Sequence, residues 1–388
     1  MPVFVGTATS SFMLSNGIGL PRLSTTERNA LSGANLHEGQ IIYNSTLNKI
    51  EFYNGSAWNE VSTPFGASGG NAANGTQPGN GYKYHSFTSP GTFTVTAGTT
   101  DAEVLVVGGG GGGGAHNNGG SDGGGGGGAG GVVLAPAVPL SPGTYNITVG
   151  NGGSGGSENT VQNSNPGCRN KNAPFGGDSG DSGGNSVFGA SSPSSIQLTA
   201  IGGGGGGSGP NAGNQDCGGS GGGAGSGGSP ATNGAAGNQP SQNPSFSGPK
   251  AQYGHPGGNA PAAPLFLGAG GGGAGGAGAN GSSGGPGIGG PAWQAPAGFD
   301  ASLIGVSHGQ GRYYGGGGTG GNQNNVTGSP AGVGTGGGGR GHSANSGPNA
   351  GAANGSGGAG GCGQPAPGAR SRGANGGTGL VVIRYAVS

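Results

Sequence analysis

Six histidines, His37, His85, His116, His255, His308 and His342, are the side chains of this 388-residue chain best fitted to hold a metal or carry a proton near neutral pH. None stands at the HxxxH or HExxH spacing that puts two ligands on one helical face, so no zinc site is expected. The segment Gly176-Gly177-Asp178-Ser179-Gly180-Asp181 has the look of a calcium-binding turn. A calcium array repeats its aspartates, and this one does not, which leaves two solvated turn residues. GxGxxG recurs along the chain, as chance demands among 111 glycines. A dinucleotide site needs a strand before the motif, a helix after it and an acidic residue about 20 positions on. Residues 108–114 follow a strand but precede no amphipathic helix. The four lysines, Lys49, Lys83, Lys171 and Lys250, lie outside any GK[ST] context, so no phosphate-binding loop is present. No Ser/His/Asp grouping can be picked out, and loops of this composition hold side chains too loosely for catalysis. The expectation is a protein that is not an enzyme, with no metal and no cofactor. The three cysteines, Cys168, Cys217 and Cys362, form no CxxC. A Cys168–Cys217 bridge is open, but the odd count favours three free thiols.

The chemistry left is recognition by aromatic side chains. Between residues 202 and 379 these are few: Phe246, Tyr253, Phe266, Trp293, Phe299, Tyr313 and Tyr314. Trp and Tyr give large contact area at low entropy cost. The loop 291–314 gathers Trp293, Phe299, His308, Arg312, Tyr313 and Tyr314, making it the candidate receptor-binding site. Aromatic faces suit sugar rings or outer-membrane loops, and Arg312 suits a phosphate or carboxylate. The same rings can instead plug the ends of a glycine bundle or pack on a sheet.

The elements that must carry this loop are unusual. Glycine is about four times its ordinary share of ~7%, hydrophobic residues are 29% and charged residues 6%. Twelve basic residues balance twelve acidic ones. That balance lacks the net charge typical of disorder and the basic footprint of a nucleic-acid partner. No run of 18 apolar residues is present, so no transmembrane helix is expected. Residues 1–20 place no basic residue before their apolar stretch and do not read as a secretory signal.

Residues 1–64 are poor in glycine and read as a small α+β module for attachment or oligomerisation. A helix is expected over 22–36, with Ser24 and Glu27 as a capping box and Gly33 as its end. Strands at 40–44, 49–53 and 57–61 follow, with Ile42, Ile50, Phe52 and Trp58 on one apolar face. Residues 65–81 read as a flexible linker, and 82–388 as the glycine-rich body. Strands are expected at 84–87, 92–96, 102–107, 144–149, 186–188, 196–201 and 380–385. The runs at 102–107 and 380–385 are β-branched and apolar enough to be buried on both faces. They are each other's best partners, so the ends of the glycine-rich region meet in one β-sandwich. The intervening glycine runs lack the strict Gly-x-y period of collagen. They suit extended helices of the polyproline II type, three residues per turn. Their backbone groups must bond to neighbouring runs, and only glycine permits that approach. The expected fold is therefore mostly β: the N-terminal α+β module, then a β-sandwich closed by the C-terminal strand, with an attached polyglycine II helix bundle and irregular loops.

The pattern Phe87, Pro90-Gly91, Phe93 and Val95, then Glu103-Val104-Leu105-Val106-Val107 before glycines 108–114, then Gly-Ala-Gly-Gly-Val-Val at 128–133, resembles the glycine-rich domain of phage structural proteins. The ending Gly379, Val381, Ile383, Arg384, Tyr385 matches that family, as does 145–149 followed by Gly150 and Gly152-Gly153. The resemblance covers about 84–385. Residues 23–28 and 39–61 are similar to modules of phage tail-fibre and appendage proteins. The body also looks like tail-fibre adhesins that stack polyglycine II helices. The resemblance implies a phage virion structural protein, a tail-fibre or appendage adhesin presenting loops for host attachment. It would be made in the host cytoplasm without a signal peptide. Its expected partners are other virion proteins through 1–64, a host cell-surface glycan or outer-membrane protein, and further copies of itself as a homo-oligomer; no nucleic acid is expected. A purely structural fibre shaft or capsid decoration is the alternative. A bacterial extracellular filament subunit is disfavoured by the missing signal, and an ice-binding protein by the irregular glycine spacing.

Overall fold

Ser24 opens the first helix because its hydroxyl accepts from the Glu27 amide at 3.2 Å while the Glu27 carboxylate accepts from the Ser24 amide at 2.7 Å. The computed structural model describes residues 19–115, 123–157, 179–190, 196–209, 215–227, 232–239, 246–262, 267–283, 285–296, 299, 306–308, 311–321, 338–339, 341, 350–351 and 372–387. The chain divides into two units, Met1–Pro64 and Phe65–Ser388. In the first, β1 (Arg22–Leu23) leads into α1 (Thr25–Asn29). The helix expected over 22–36 is thus one short turn, followed by a 3₁₀ turn at Gly33–Asn35. Ser32 and Gly33 favour turns over helix, and Gly33 takes a positive φ of 53°. β2 (Ile41–Asn44), β3 (Lys49–Tyr53) and β4 (Trp58–Glu60) complete a sheet in the order β1-β2-β3-β4. The four apolar residues expected on one face are split. Phe52 stands opposite Ile41 and Ile50 opposite Tyr43, whereas Ile42 stands opposite Glu51 and Trp58 opposite Tyr53. Strict alternation sends these two sets to opposite faces.

The second unit begins at once, so 65–81 is no linker. β5 (Gly66–Ser68) pairs with β7, which runs Gly91–Ala97 after β6 (Tyr82–Phe87). Thr76 and Tyr84 exchange both backbone hydrogen bonds, at 2.8 and 2.9 Å. Glycine- and Asn-rich composition serves tight turns against a sheet as well as it serves a tether: Gly69, Gly70 and Gly75 all have positive φ. The remaining strands are β8 (Thr100–Val107), β9 (Val132–Leu140), β10 (Gly143–Thr148), β11 (Ser186–Ala190) and β12 (Gln197–Ala200). They are followed by β13 (Ala251–Tyr253), β14 (Trp293–Gln294), β15 (Val306–His308), β16 (Gly311–Tyr314) and β17 (Leu380–Ala386). One sheet has the order β12-β11-β10-β7-β5 and the other β13-β9-β8-β17-β6. Their facing sides share one core, in which Phe93, Ile147 and Phe188 of the first meet Val104, Val381 and Ile383 of the second. β17 lies between β8 and β6, with Leu380 opposite Val107 and Arg384 opposite Glu103. The expected closure of the sandwich by the C-terminal strand is found.

Beyond the strand ends the glycine runs bond to one another in a cycle of three. Gly108, Gly111 and Gly114 donate to Gly131, Gly128 and Gly125; Gly109 and Gly112 to Gly184 and Asp181; Gly110 and Gly113 to Gly377 and Ala374. The run also accepts from Gly153 and Gly156 and from Gly203 and Gly206, and Gly209 donates to Ala115 just after it. The run 268–274 repeats the cycle: Gly268, Gly271 and Ala274 donate to Gly321, Gly318 and Gly315, while Ala269 and Gly272 donate to Ala224 and Gly221. Cohesion here comes from backbone hydrogen bonds, each worth about 0.5–1.5 kcal/mol net, in place of an apolar core.

Candidate functional site

β17 alternates between two environments. Val381, Ile383 and Tyr385 enter the core between the sheets, while Leu380 and Val382 join Leu105, Val107 and Val132 on the outer face. That outer face is apolar and must be covered. The cover is the three-stranded sheet β14-β16-β15, in which Trp293 stands opposite Tyr314, and Val306 opposite Tyr313. Trp293 stacks on Tyr253 with ring centroids 5.0 Å apart and lies 6.5 Å from Tyr314. Tyr314 and Phe299 are fully buried in this second cluster.

Arg384 closes one corner. Its guanidinium lies 4.1 Å from the centroid of Phe299 and 4.6 Å from that of Tyr82. Nη2 also donates to Glu103, with both carboxylate oxygens within 2.9 Å. Burial acts to lower the pKa of this guanidinium, but the Glu103 hydrogen bond and the Tyr84 hydroxyl outweigh it and hold the group above its ordinary value. A cation between two aromatic faces and a carboxylate is a packing device: it fixes Phe299 over the sheet without leaving a buried charge unpaired.

Of the proposed recognition residues, Phe299 and Tyr314 are therefore withdrawn from any exposed surface. The apolar outer face of β8 and β17 takes them as its lid. Trp293 is half-buried on the same lid; Arg312 and Tyr313 are half-buried on β16. His308 stands opposite Gly311 in the β15–β16 ladder, and its side chain lies outside the described residues. Gln294, beside Trp293, is exposed. The Asp178 half of the calcium-like turn, Phe266, His116 and His342 also lie outside the described residues. Asp181 belongs to the bonded lattice, where its carbonyl accepts from Gly112. Cys217 is disulfide-bonded, so the three-thiol reading is set aside: an odd count leaves one thiol over but does not forbid a bridge. Its partner, Cys168 or Cys362, lies outside the described residues.

Two groups escaped the sequence reading. His85 is fully buried in the sandwich, with Nδ1 2.8 Å from the Gly69 carbonyl and Nε2 3.1 Å from the Tyr385 hydroxyl. Burial pushes its pKa below the usual histidine value, opposed by the Gly69 hydrogen bond, and burial pushes Tyr385 up to about 12. The Glu103–Arg384 pair had a readable signal: one acid and one base in the otherwise apolar runs 102–107 and 380–385, at positions that meet in register. Among the described residues no three His, Cys, Asp or Glu side chains group to hold a metal. None of their helices is long and apolar enough to cross a membrane.

A β-sandwich whose strands run on into a backbone-bonded glycine lattice, with its aromatics used as a lid, defines a structural scaffold. Residues 86–386 match the glycine-rich domain, and the chain belongs to that family. Residues 8–77 match the phage tail like trimerisation region, which marks a phage tail-type structural protein of the virion and supports assembly as a homotrimer. No curated relative matches the chain.

Proposed function

We propose that the protein is a non-enzymatic tail-fibre or appendage adhesin, joined to other virion proteins through residues 1–64 and presenting loops of its glycine-rich unit to a host surface glycan or outer-membrane protein. The observation that carries this reading is the three-residue hydrogen-bond cycle of runs 108–114 and 268–274. A cycle of three with every bond made to a neighbour supports polyglycine II packing, since a helix of the polyproline II type has three residues per turn and no internal hydrogen bonds. Such a lattice is a spacer stiffened by its backbone, with side chains only where runs are interrupted. A spacer joined to a trimerising phage tail segment fits a fibre that holds loops away from the particle. The burial of Phe299 and Tyr314 favours a second reading, a fibre shaft or capsid decoration with no receptor of its own. Electron microscopy of particles labelled with an antibody against residues 82–388 separates the two. Label at the distal ends of fibres is the expected result; label along the shaft or on the shell overturns the adhesin.

A further inference from the structure

Among the described residues the N-terminal sheet has one face closed and one bare. On the closed face lie Ile42, Asn44 and Glu51, all buried. α1 covers this side: Arg28 pairs with Glu51 at 2.5 Å, Thr25 bonds to Asn44 at 3.2 Å, and Asn44 bonds to Glu51 at 2.8 Å. The other face carries Ile41, Tyr43, Ile50 and Phe52, which meet as cross-strand pairs Ile41–Phe52 and Tyr43–Ile50. Val61 extends it, since its amide donates to the Ile50 carbonyl at 2.8 Å and continues the β3–β4 register. Ile41 is 45% exposed, Ile50 40% and Val61 51%. Among the described residues the large exposed hydrophobics are five, and four of them, these three and Leu47, fall within this one small unit. A sheet this short buries too little to stand alone comfortably, and apolar groups clustered on one face mark an interaction surface.

We propose that the face formed by Ile41, Tyr43, Ile50, Phe52 and Val61 is the contact between copies of this chain, so that three sheets pack their bare faces around a common axis. The proposal rests on the trimerisation reading of residues 8–77 and names the surface that executes it. A second copy fits better than an unlike partner because the face is apolar and uncharged at its centre. The charge at its edge is Arg22, opposite Tyr43 in the β1–β2 ladder and 5.6 Å from the centroid of its ring, while the Lys49–Glu60 ion pair at 2.5 Å stands on the other face with Asn44 and Glu51.

Sedimentation of the full-length protein at micromolar concentration supplies the test, with an Ile41→Glu, Ile50→Glu double variant beside the wild type. Trimer for the wild type and monomer for the variant is the expected result. A photo-crosslinking phenylalanine analogue at position 50, and separately at 53 on the closed face, gives a readout independent of whether the double variant folds. Chain-to-chain crosslinks from 50, absent or at least tenfold fewer from 53, support the face. A variant that remains trimeric, or equal crosslinking from both positions, overturns the surface while leaving the trimer intact. A monomeric wild type overturns the trimerisation reading itself.

Discussion

Placing a single methyl group inside the glycine lattice, by Gly111→Ala, probes the packing most directly. A Cβ at position 111 would lie 2.6 Å from the Gly204 carbonyl carbon and 2.9 Å from the Gly203 oxygen, and closer still to the Gly204 oxygen. Ordinary contact begins at about 3.4 Å, so the run at 202–207 must retreat by close to 1 Å. It cannot do so freely. Gly203 and Gly206 donate to Gly109 and Gly112, and Gly204 accepts from Gly128 at 2.7 Å. Stretching three bonds of about 0.5–1.5 kcal/mol each, added to ordinary overpacking of about 1–3 kcal/mol, predicts a loss of roughly 2.5–7.5 kcal/mol. Gly272→Ala should cost a similar amount. Its Cβ would meet the His255 carbonyl carbon at 2.8 Å and the Pro256 oxygen at 2.7 Å, and closer still the His255 oxygen, and these two carbonyls are held by the Gly221 and Gly278 amides at 2.9 and 3.0 Å. Gly189→Ala on β11 is the control. Its Cβ would find only Gln197 and Val187 side chains at 3.9 Å. Loss of glycine's unfolded-state freedom should leave it neutral or stabilised by up to about 1 kcal/mol. Calorimetry of the full-length variants checks the order, with Gly111→Ala lowering the main melting temperature by on the order of 10 °C. If all three melt within 1 °C of the wild type, close backbone packing does not hold the lattice together.

Phe299→Ala opens a cavity beneath the lid and unseats Arg384, so it should destabilise the glycine-rich unit by about 3–5 kcal/mol; a denaturant-melt change under 1 kcal/mol would show that the lid is dispensable. Gln239 is fully buried, with Oε1 accepting from the Ile201 amide at 2.7 Å and Nε2 donating to the Thr199 carbonyl at 3.1 Å. Gln239→Ala orphans both groups and should cost about 1–3 kcal/mol, read as a lowered melting temperature; an unchanged melt refutes it. His85 has a folded pKa below its unfolded value of 6.5, so the unfolded state binds the proton first. Stability is then fully present above about pH 6.5 and is lost as pH falls toward the folded value, at no more than about 1.4 kcal/mol per pH unit. Melting temperatures from pH 7.5 to 5.5 should fall in the wild type and flatten in His85→Gln; parallel curves for both would remove His85 as the cause.

The parts of this fold that were legible share one property: side chains carry their register. The runs 102–107 and 380–385 announce themselves as partners because both are β-branched and buried on two faces. The capping box at Ser24 and Glu27 works within four residues and needs nothing distant. β9 escaped notice because Pro136 and Pro139 argue against an interior strand. β13 pairs with it only at Val132, Val133 and Leu134, so both prolines lie where that edge is unpartnered by β13. The candidate site was misread for a related reason. β14 and β16 are two and four residues long, too short for a period-two pattern to reveal that Trp293 and Tyr314 face inward.

The glycine runs pose the opposite problem, since no side chain distinguishes 108–114 from 202–207. Their partners are inherited from the sandwich. Val107 stands opposite Val132, and the ladder continues as Gly108 to Gly131, Gly111 to Gly128 and Gly114 to Gly125. Ser186 stands opposite Ala200, and Gly183 goes on to bond Gly203 and Gly180 to Gly206. Leu380 stands opposite Val107, and Gly110 and Gly113 go on to Gly377 and Ala374. Within the sandwich the two sheets are held apart by their core side chains, about 10 Å in such folds. Where the side chains stop, that gap closes. Gly109, extending β8 of one sheet, donates to Gly184, extending β11 of the other, and accepts from Gly203, extending β12. Register is thus set by valines, leucines and isoleucines in the sandwich, and the glycines convert two separated sheets into one bonded lattice. A chain only 29% hydrophobic can fold this way because its apolar residues are concentrated where they specify pairing, and the backbone extends that pairing without them.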